Sequence, residues 1–207
     1  MKSRTKIKTC GMTNVSDVGA AVALGVDAIG VILHADSPRT IALEHASAIR
    51  QVVPEGIKLV GVFVDASSEF IEAAIEVAGL DLVQLHGDES NDFGARLTVP
   101  FIKAVRVESQ QQLNTQLASY PSACAILLDP YVKGQHGGTG RQLDLRMWPT
   151  QHHQKLILAG GLSPENIVDS VCATQPFAID INSGVEISPG VKNHAKIGAV
   201  IELLALS

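Results

Sequence analysis

Apolar runs rich in β-branched residues alternate with amphipathic stretches eight times along the chain. No other feature limits the fold so tightly. The strand candidates begin at Thr5 (TKIKTC), Asp27 (DAIGVIL), Lys58 (KLVGVFV), Asp81 (DLVQLH), Phe101 (FIKAVRV), Ala123 (ACAILLD), Lys155 (KLILAG) and Phe177 (FAIDI). Between them the spacing predicts helices over 15–24, 43–53, 69–78, 89–97, 109–119, 143–148, 164–173 and 194–206. Asn14, Ser67 and Ser163 stand where N-caps belong, the last with Pro164 at the first helical position. Strands that are almost continuously apolar are buried on both faces, which points to a parallel sheet covered by helices. Such a sheet can stay open or close on itself, and eight units favour closure. The expectation is an α/β fold, a (β/α)8 barrel of minimal length spanning 1–207 as one domain.

Composition narrows the function. At 207 residues, 46% hydrophobic and 18% charged, the chain supports one well-buried core. A net charge of -5 without any Lys/Arg-rich run argues against a nucleic-acid surface, since neutralising phosphates along a duplex takes clustered cations. A small anion can still be held by backbone N–H groups and one or two cations. No run of about 18 apolar residues and no signal-peptide core occurs, so a cytoplasmic protein with no membrane partner is expected. Three widely spaced cysteines, Cys10, Cys124 and Cys172, fit free thiols in a reducing compartment.

In a barrel of this kind the strand C-termini and the loops after them form the working face. Cys10-Gly11-Met12-Thr13 follows the first strand, SPR with Arg39 the second, and His86-Gly87-Asp88-Glu89 the fourth. Asp129 closes the sixth and leads into the longest loop, DPYVKGQHGGTG. AGGLSPEN and DINSGVEISPG follow the seventh and eighth. Glycines in these last two loops let the backbone approach an oxyanion, as phosphate sites of barrels require, although singly they also serve tight turns. Singly, Cys10 reads as a small buried hydrophobe or a reactive thiol, Asp129 as a cap or a charge that needs a partner, and Arg39 as a solvated cation or a bidentate partner for carboxylate or phosphate, while His86 reads as a hydrogen-bonded structural histidine. His152 and His153 belong to the opposite rim, and no metal-ligand spacing is present.

KTCGMT, GVILHADSPRTI, GVFVD, DLVQLHGDES, LLDPYVKGQHGGTG, LAGGLSPENI and DINSGVEISPGVKN, in that order, resemble the phosphoribosylanthranilate isomerase family over essentially the whole chain. The resemblance implies a (β/α)8 fold and an Amadori rearrangement without metal or organic cofactor. It implies that Cys10 is the general base and Asp129 the general acid, that Arg39 engages the anthranilate moiety, and that the last two loops hold phosphate. The full set of candidate substrate-binding positions is Arg39, His86, Gly138, Gly160, Gly161, Asp180, Ser183 and Gly184. The partner expected is a phosphorylated small molecule, with the choice between monomer and homodimer open. Another phosphosugar isomerase, or a barrel that binds a phosphorylated ligand without turnover, stands as the alternative. The chemistry itself calls for an acid facing the furanose oxygen and a base at C2, and a thiolate can be that base where nearby positive charge lowers its pKa.

Overall fold

A computed structural model describes residues 4–107, 109–130, 142–150 and 152–206. Eight strands, β1 (Lys6–Thr9), β2 (Ala28–His34), β3 (Lys58–Phe63), β4 (Leu82–Leu85), β5 (Phe101–Val107), β6 (Ala125–Pro130), β7 (Leu156–Leu158) and β8 (Ala178–Ile181), form a closed parallel barrel. Each strand pairs with the next, and β8 returns to β1 in a register from Lys6↔Ala178 to Thr9↔Ile181. Helices α1 (Val15–Leu24), α2 (Leu43–Arg50), α3 (Ser68–Ala78), α4 (Asn91–Gly94), α5 (Gln110–Ser119), α6 (Ile167–Thr174) and α7 (His194–Ala205) connect them.

The strands are apolar throughout because both faces are buried. Outward residues such as Ile29, Leu59, Ile126 and Leu128 pack under the helices, while Val60, Ile102, Ala104, Ala125, Leu127 and Ile157 fill the barrel's interior. A fully buried Ile or Leu contributes about 1.5–3 kcal/mol relative to exposure. The Ile/Leu-rich outer layer therefore contributes more to holding the barrel closed than the alanine-rich interior. Helix starts are fixed by side chains: Asn14 accepts from the Asp17 N–H at 2.8 Å and Ser67 from the Phe70 N–H at 3.2 Å.

Several boundaries differ from the sequence expectation, each for a local reason. The helix expected over 89–97 is a single turn, α4, which closes on Gly94, a weak helix former packed against the Phe101 ring, where a Cβ would come within 2.7 Å. The 143–148 stretch reduces to a 3-10 turn at Leu145–Met147 capped by Asp144. Helix α2 stops at Arg50, whose guanidinium turns to Asp81 and to the Val53 carbonyl. Ser163 does not cap α6, which begins at Ile167. The Asn166 amide instead bridges back, accepting from the Ser163 N–H at 3.0 Å and donating to the Gly161 carbonyl at 2.9 Å. After β8 the chain adds an antiparallel hairpin that the strand count did not anticipate, β9 (Glu186–Ser188) and β10 (Val191–Lys192).

Candidate active site

The strand C-termini open into a cavity of about 930 Å³. Cys10, Arg39, His86, Asp129, Gly160, Gly161, Asp180 and Ser183 all line it, so the barrel gathers most of the sequence-derived candidates on one face. Gly138 lies outside the described residues, as does the loop from 131 to 141. Gly184 sits just behind the cavity wall: a Cβ there would lie 2.1 Å from the Leu162 carbonyl oxygen. Close packing of the loops after β7 and β8 requires a glycine there.

Cys10 follows β1 directly, its N–H donating to the Ile181 carbonyl at 2.9 Å, and it is 4% exposed. Beneath it Lys8 also points inward. The β1–β8 register sets Lys8 opposite Asp180, and its ammonium reaches that carboxylate at 2.9 Å. Burial works against the charge of Lys8, yet Asp180 and the neighbouring Cys10 sulfur outweigh it and hold the ammonium above its ordinary pKa. Room for both side chains comes from Gly30 on β2, where a Cβ would lie 2.8 Å from the sulfur and 3.1 Å from the Lys8 nitrogen. A thiolate base is favoured where nearby positive charge lowers the thiol's pKa. The structure shows the reverse: burial, with Asp180 adding to it, pushes the Cys10 thiol up, and Lys8 and Lys192 only partly oppose.

Across the mouth, Asp129 lies one residue before the end of β6 at 7% exposure, with its Oδ2 3.4 Å from the His86 Nε2. The other ring nitrogen of His86 lies 3.1 Å from the amide nitrogen of Gln84, which is fully buried in the barrel. His86 thus stands beside the acid candidate and is not isolated structural filling.

Arg39 is not a solvated cation. It is 8% exposed, and its Nε and Nη2 donate to Glu186 at 2.9 and 2.7 Å. Lys192 donates to the same carboxylate at 2.8 Å and to the Asn182 side-chain oxygen at 2.8 Å. Burial raises the Glu186 pKa, but its bonds to Arg39 and Lys192 win and hold it below the usual carboxylate range. Gly11, at φ +67, threads between Arg39 and Asn182, where a Cβ would meet each at 2.7 Å. Nearby, Gly160 and Gly161 take φ of 93 and 58. Among the described residues, the N–H groups of Gly160, Gly161, Ser183 and Gly184 donate to no protein acceptor, which leaves an anion cradle between the last two loops.

Lys8, Gln84, Glu186 and Lys192 were not singled out in the sequence. Lys8 and Gln84 had one signal, a polar residue at an alternate position inside an apolar strand. Glu186 and Lys192 lay in quoted motifs without a partner to give them a role.

Fold and site together define a (β/α)8 barrel of the enzyme class, with a thiol, a carboxyl, a guanidinium and backbone N–H groups gathered at the C-terminal ends of its strands. Comparison with known proteins supplies the family. Residues 7–203 match the model of N-(5'-phosphoribosyl)anthranilate (PRA) isomerase. An N-(5'-phosphoribosyl)anthranilate isomerase of Pseudomonas fluorescens is 42% identical over 199 residues, covering 96% of this chain and 98% of that one. The crystal structure of the Thermotoga maritima phosphoribosyl anthranilate isomerase superposes with a TM-score of 0.90 at 33% identity, over 98% of this chain and all of that one. A phosphoribosyl anthranilate isomerase in complex with reduced 1-(o-carboxyphenylamino)-1-deoxyribulose 5-phosphate superposes at 0.84 with 31% identity, covering 98% of this chain and 100% of that one. The chain belongs to the N-(5'-phosphoribosyl)anthranilate isomerase family and is an isomerase of tryptophan biosynthesis.

Proposed function

We propose that Asp129 and Cys10 are the acid and base of the rearrangement of N-(5-phosphoribosyl)anthranilate to 1-(2-carboxyphenylamino)-1-deoxyribulose 5-phosphate. The observation that carries this assignment is that both groups, from β6 and β1, face one cavity whose rim also holds a cation and free backbone N–H groups. Asp129 gives its proton to the furanose oxygen as the C1–O bond breaks and the nitrogen lone pair forms the iminium. Cys10, as thiolate, removes the proton on C2, and the C–H electrons neutralise the iminium to give an enolamine. The enolamine becomes the ketone when C1 gains a proton and the C2 hydroxyl loses one, which returns Cys10 and Asp129 to their starting states. His86, its Nε2 3.4 Å from Asp129 Oδ2, stands within reach of that carboxyl at the mouth.

The N–H cradle of the last two loops takes the phosphate and Arg39 takes the anthranilate carboxylate. Clamping both ends fixes C1 and C2 between acid and base, and such positioning is worth several kcal/mol of barrier. Asp180, buried against Lys8 at the cavity floor, keeps one carboxylate oxygen without a hydrogen-bond partner and can accept from a sugar hydroxyl. The enzyme works in the cytoplasm, a reading supported by its free cysteines and by the lack of any helix, among the described residues, long and apolar enough to cross a membrane.

Loss of the substrate's anthranilate fluorescence tests the assignment. Cys10→Ala and Asp129→Asn should each lower turnover by about 10²-fold or more while retaining the fold. Full activity in either variant removes that residue from the mechanism.

A further inference from the structure

The guanidinium of Arg39 is half committed before any ligand arrives. Its Nε and Nη2 form a side-on fork with the two oxygens of Glu186. That leaves both Nη1 hydrogens and the second Nη2 hydrogen, the end-on fork, without an acceptor among the described residues. Glu186 is itself immobilised: its side chain is 5% exposed, and its Oε1 also accepts from Lys192 at 2.8 Å and from the Gly190 N–H at 3.2 Å. The Lys192 side chain is fully buried and anchored on Asn182, at the end of β8. Gly11 closes the remaining space between Arg39 and Asn182.

Charge points the same way as geometry. Arg39 and Lys192 face a single carboxylate, so the cluster carries one positive charge more than it compensates. A buried charge is costly unless paired. One anion meeting the end-on edge of Arg39 completes the set, and a planar carboxylate matches that edge bidentately.

We propose that Glu186, backed by Lys192, is the positioning residue that makes this site select a carboxylated aryl group, by locking Arg39 side-on so that its end-on fork faces the cavity. The proposal rests on Arg39 being the carboxylate's partner. It adds that discrimination between an aryl carboxylate and a bare ring resides in the length and charge of Glu186, a residue that touches no substrate.

Two stable ligands test it, the secondary amines made by reductive coupling of ribose 5-phosphate to anthranilate and to aniline. They differ only in the carboxylate, and calorimetry gives their Kd values. The native enzyme should bind the anthranilate compound about tenfold to hundredfold more tightly, as expected of charge-assisted bonds. Glu186→Asp keeps the charge but withdraws the fork by one methylene. It should remove most of that preference while leaving the Kd of the aniline compound unchanged. Glu186→Gln, followed with a thermal melt to confirm folding, should do the same. Equal weakening of both ligands would show a merely structural role and overturn the proposal, as would a preference that survives Glu186→Asp intact. Arg39→Ala separates the two levels: if it retains the preference, the carboxylate is held elsewhere and the reading of Arg39 itself falls.

Discussion

Substituting Gly30 by alanine should separate catalysis from stability in this barrel. The new Cβ would project inward from β2 to 2.8 Å from the Cys10 sulfur and 3.1 Å from the end of Lys8. Restoring an ordinary contact, from 2.8 to 3.4 Å, moves the sulfur by about 0.6 Å. The atoms met are ends of flexible side chains, so the overpacking penalty falls at the low end of its usual range, about 1 kcal/mol. In a chain of this length that lowers Tm by about 2–4 °C. Displacement of a reacting atom by about 1 Å can cost about 10²-fold in rate, so kcat/KM should drop by about 10- to 100-fold. The assay is the fluorescence decay at saturating and limiting substrate, run beside a thermal melt. Gly19→Ala is the control: no atom lies within 4 Å of its Cβ, and as a helix-interior change it should stabilise slightly with activity intact. Unchanged kinetics in Gly30→Ala would mean that the sulfur is not seated against β2, and the spatial basis for Cys10 as base would be lost.

The pH profile follows from the state of the thiol. Burial and Asp180 hold the Cys10 pKa above its ordinary value, and the base is the deprotonated form, so kcat/KM should still be rising above about pH 8.5; a plateau already reached near neutrality would refute this. Lys8→Met leaves Asp180 buried and unpaired and should cost about 3–5 kcal/mol in urea unfolding, partly recovered by the double change with Asp180→Leu, whereas a loss under about 1 kcal/mol would contradict a buried ion pair.

The barrel was legible in the sequence because parallel strands buried on both faces read as unbroken apolar runs, and all eight runs carry a strand. Helices were legible where a capping side chain marks the start, as at Asn14 and Ser67. Reading failed where such a side chain serves something else, as when Asn166 spends its amide on Gly161 and Ser163 and delays α6. The chemical positions Cys10 and Asp129 could be placed on one rim by strand polarity alone. The neighbours that set their electrostatics could not, since Lys8 meets Asp180 only through closure of β1 onto β8, residues 172 apart in the chain. For the same reason the direction of the thiol shift was not legible: local sequence shows cations but not burial. The partner that orients Arg39 was not legible either, because Glu186 comes from a hairpin 147 residues further on.

The position of the last hairpin bears on how the enzyme is made. Cys10 leaves the ribosome well before the groups that frame it, Asp180, Asn182, Glu186 and Lys192. A nascent barrel lacking β8 to β10 exposes the open edge of β1 and a lone ammonium at Lys8, both open to mispairing. Competence therefore arrives in one late step, when the segment from β8 onward docks, and a product truncated before β8 should be inert however well its earlier units have folded.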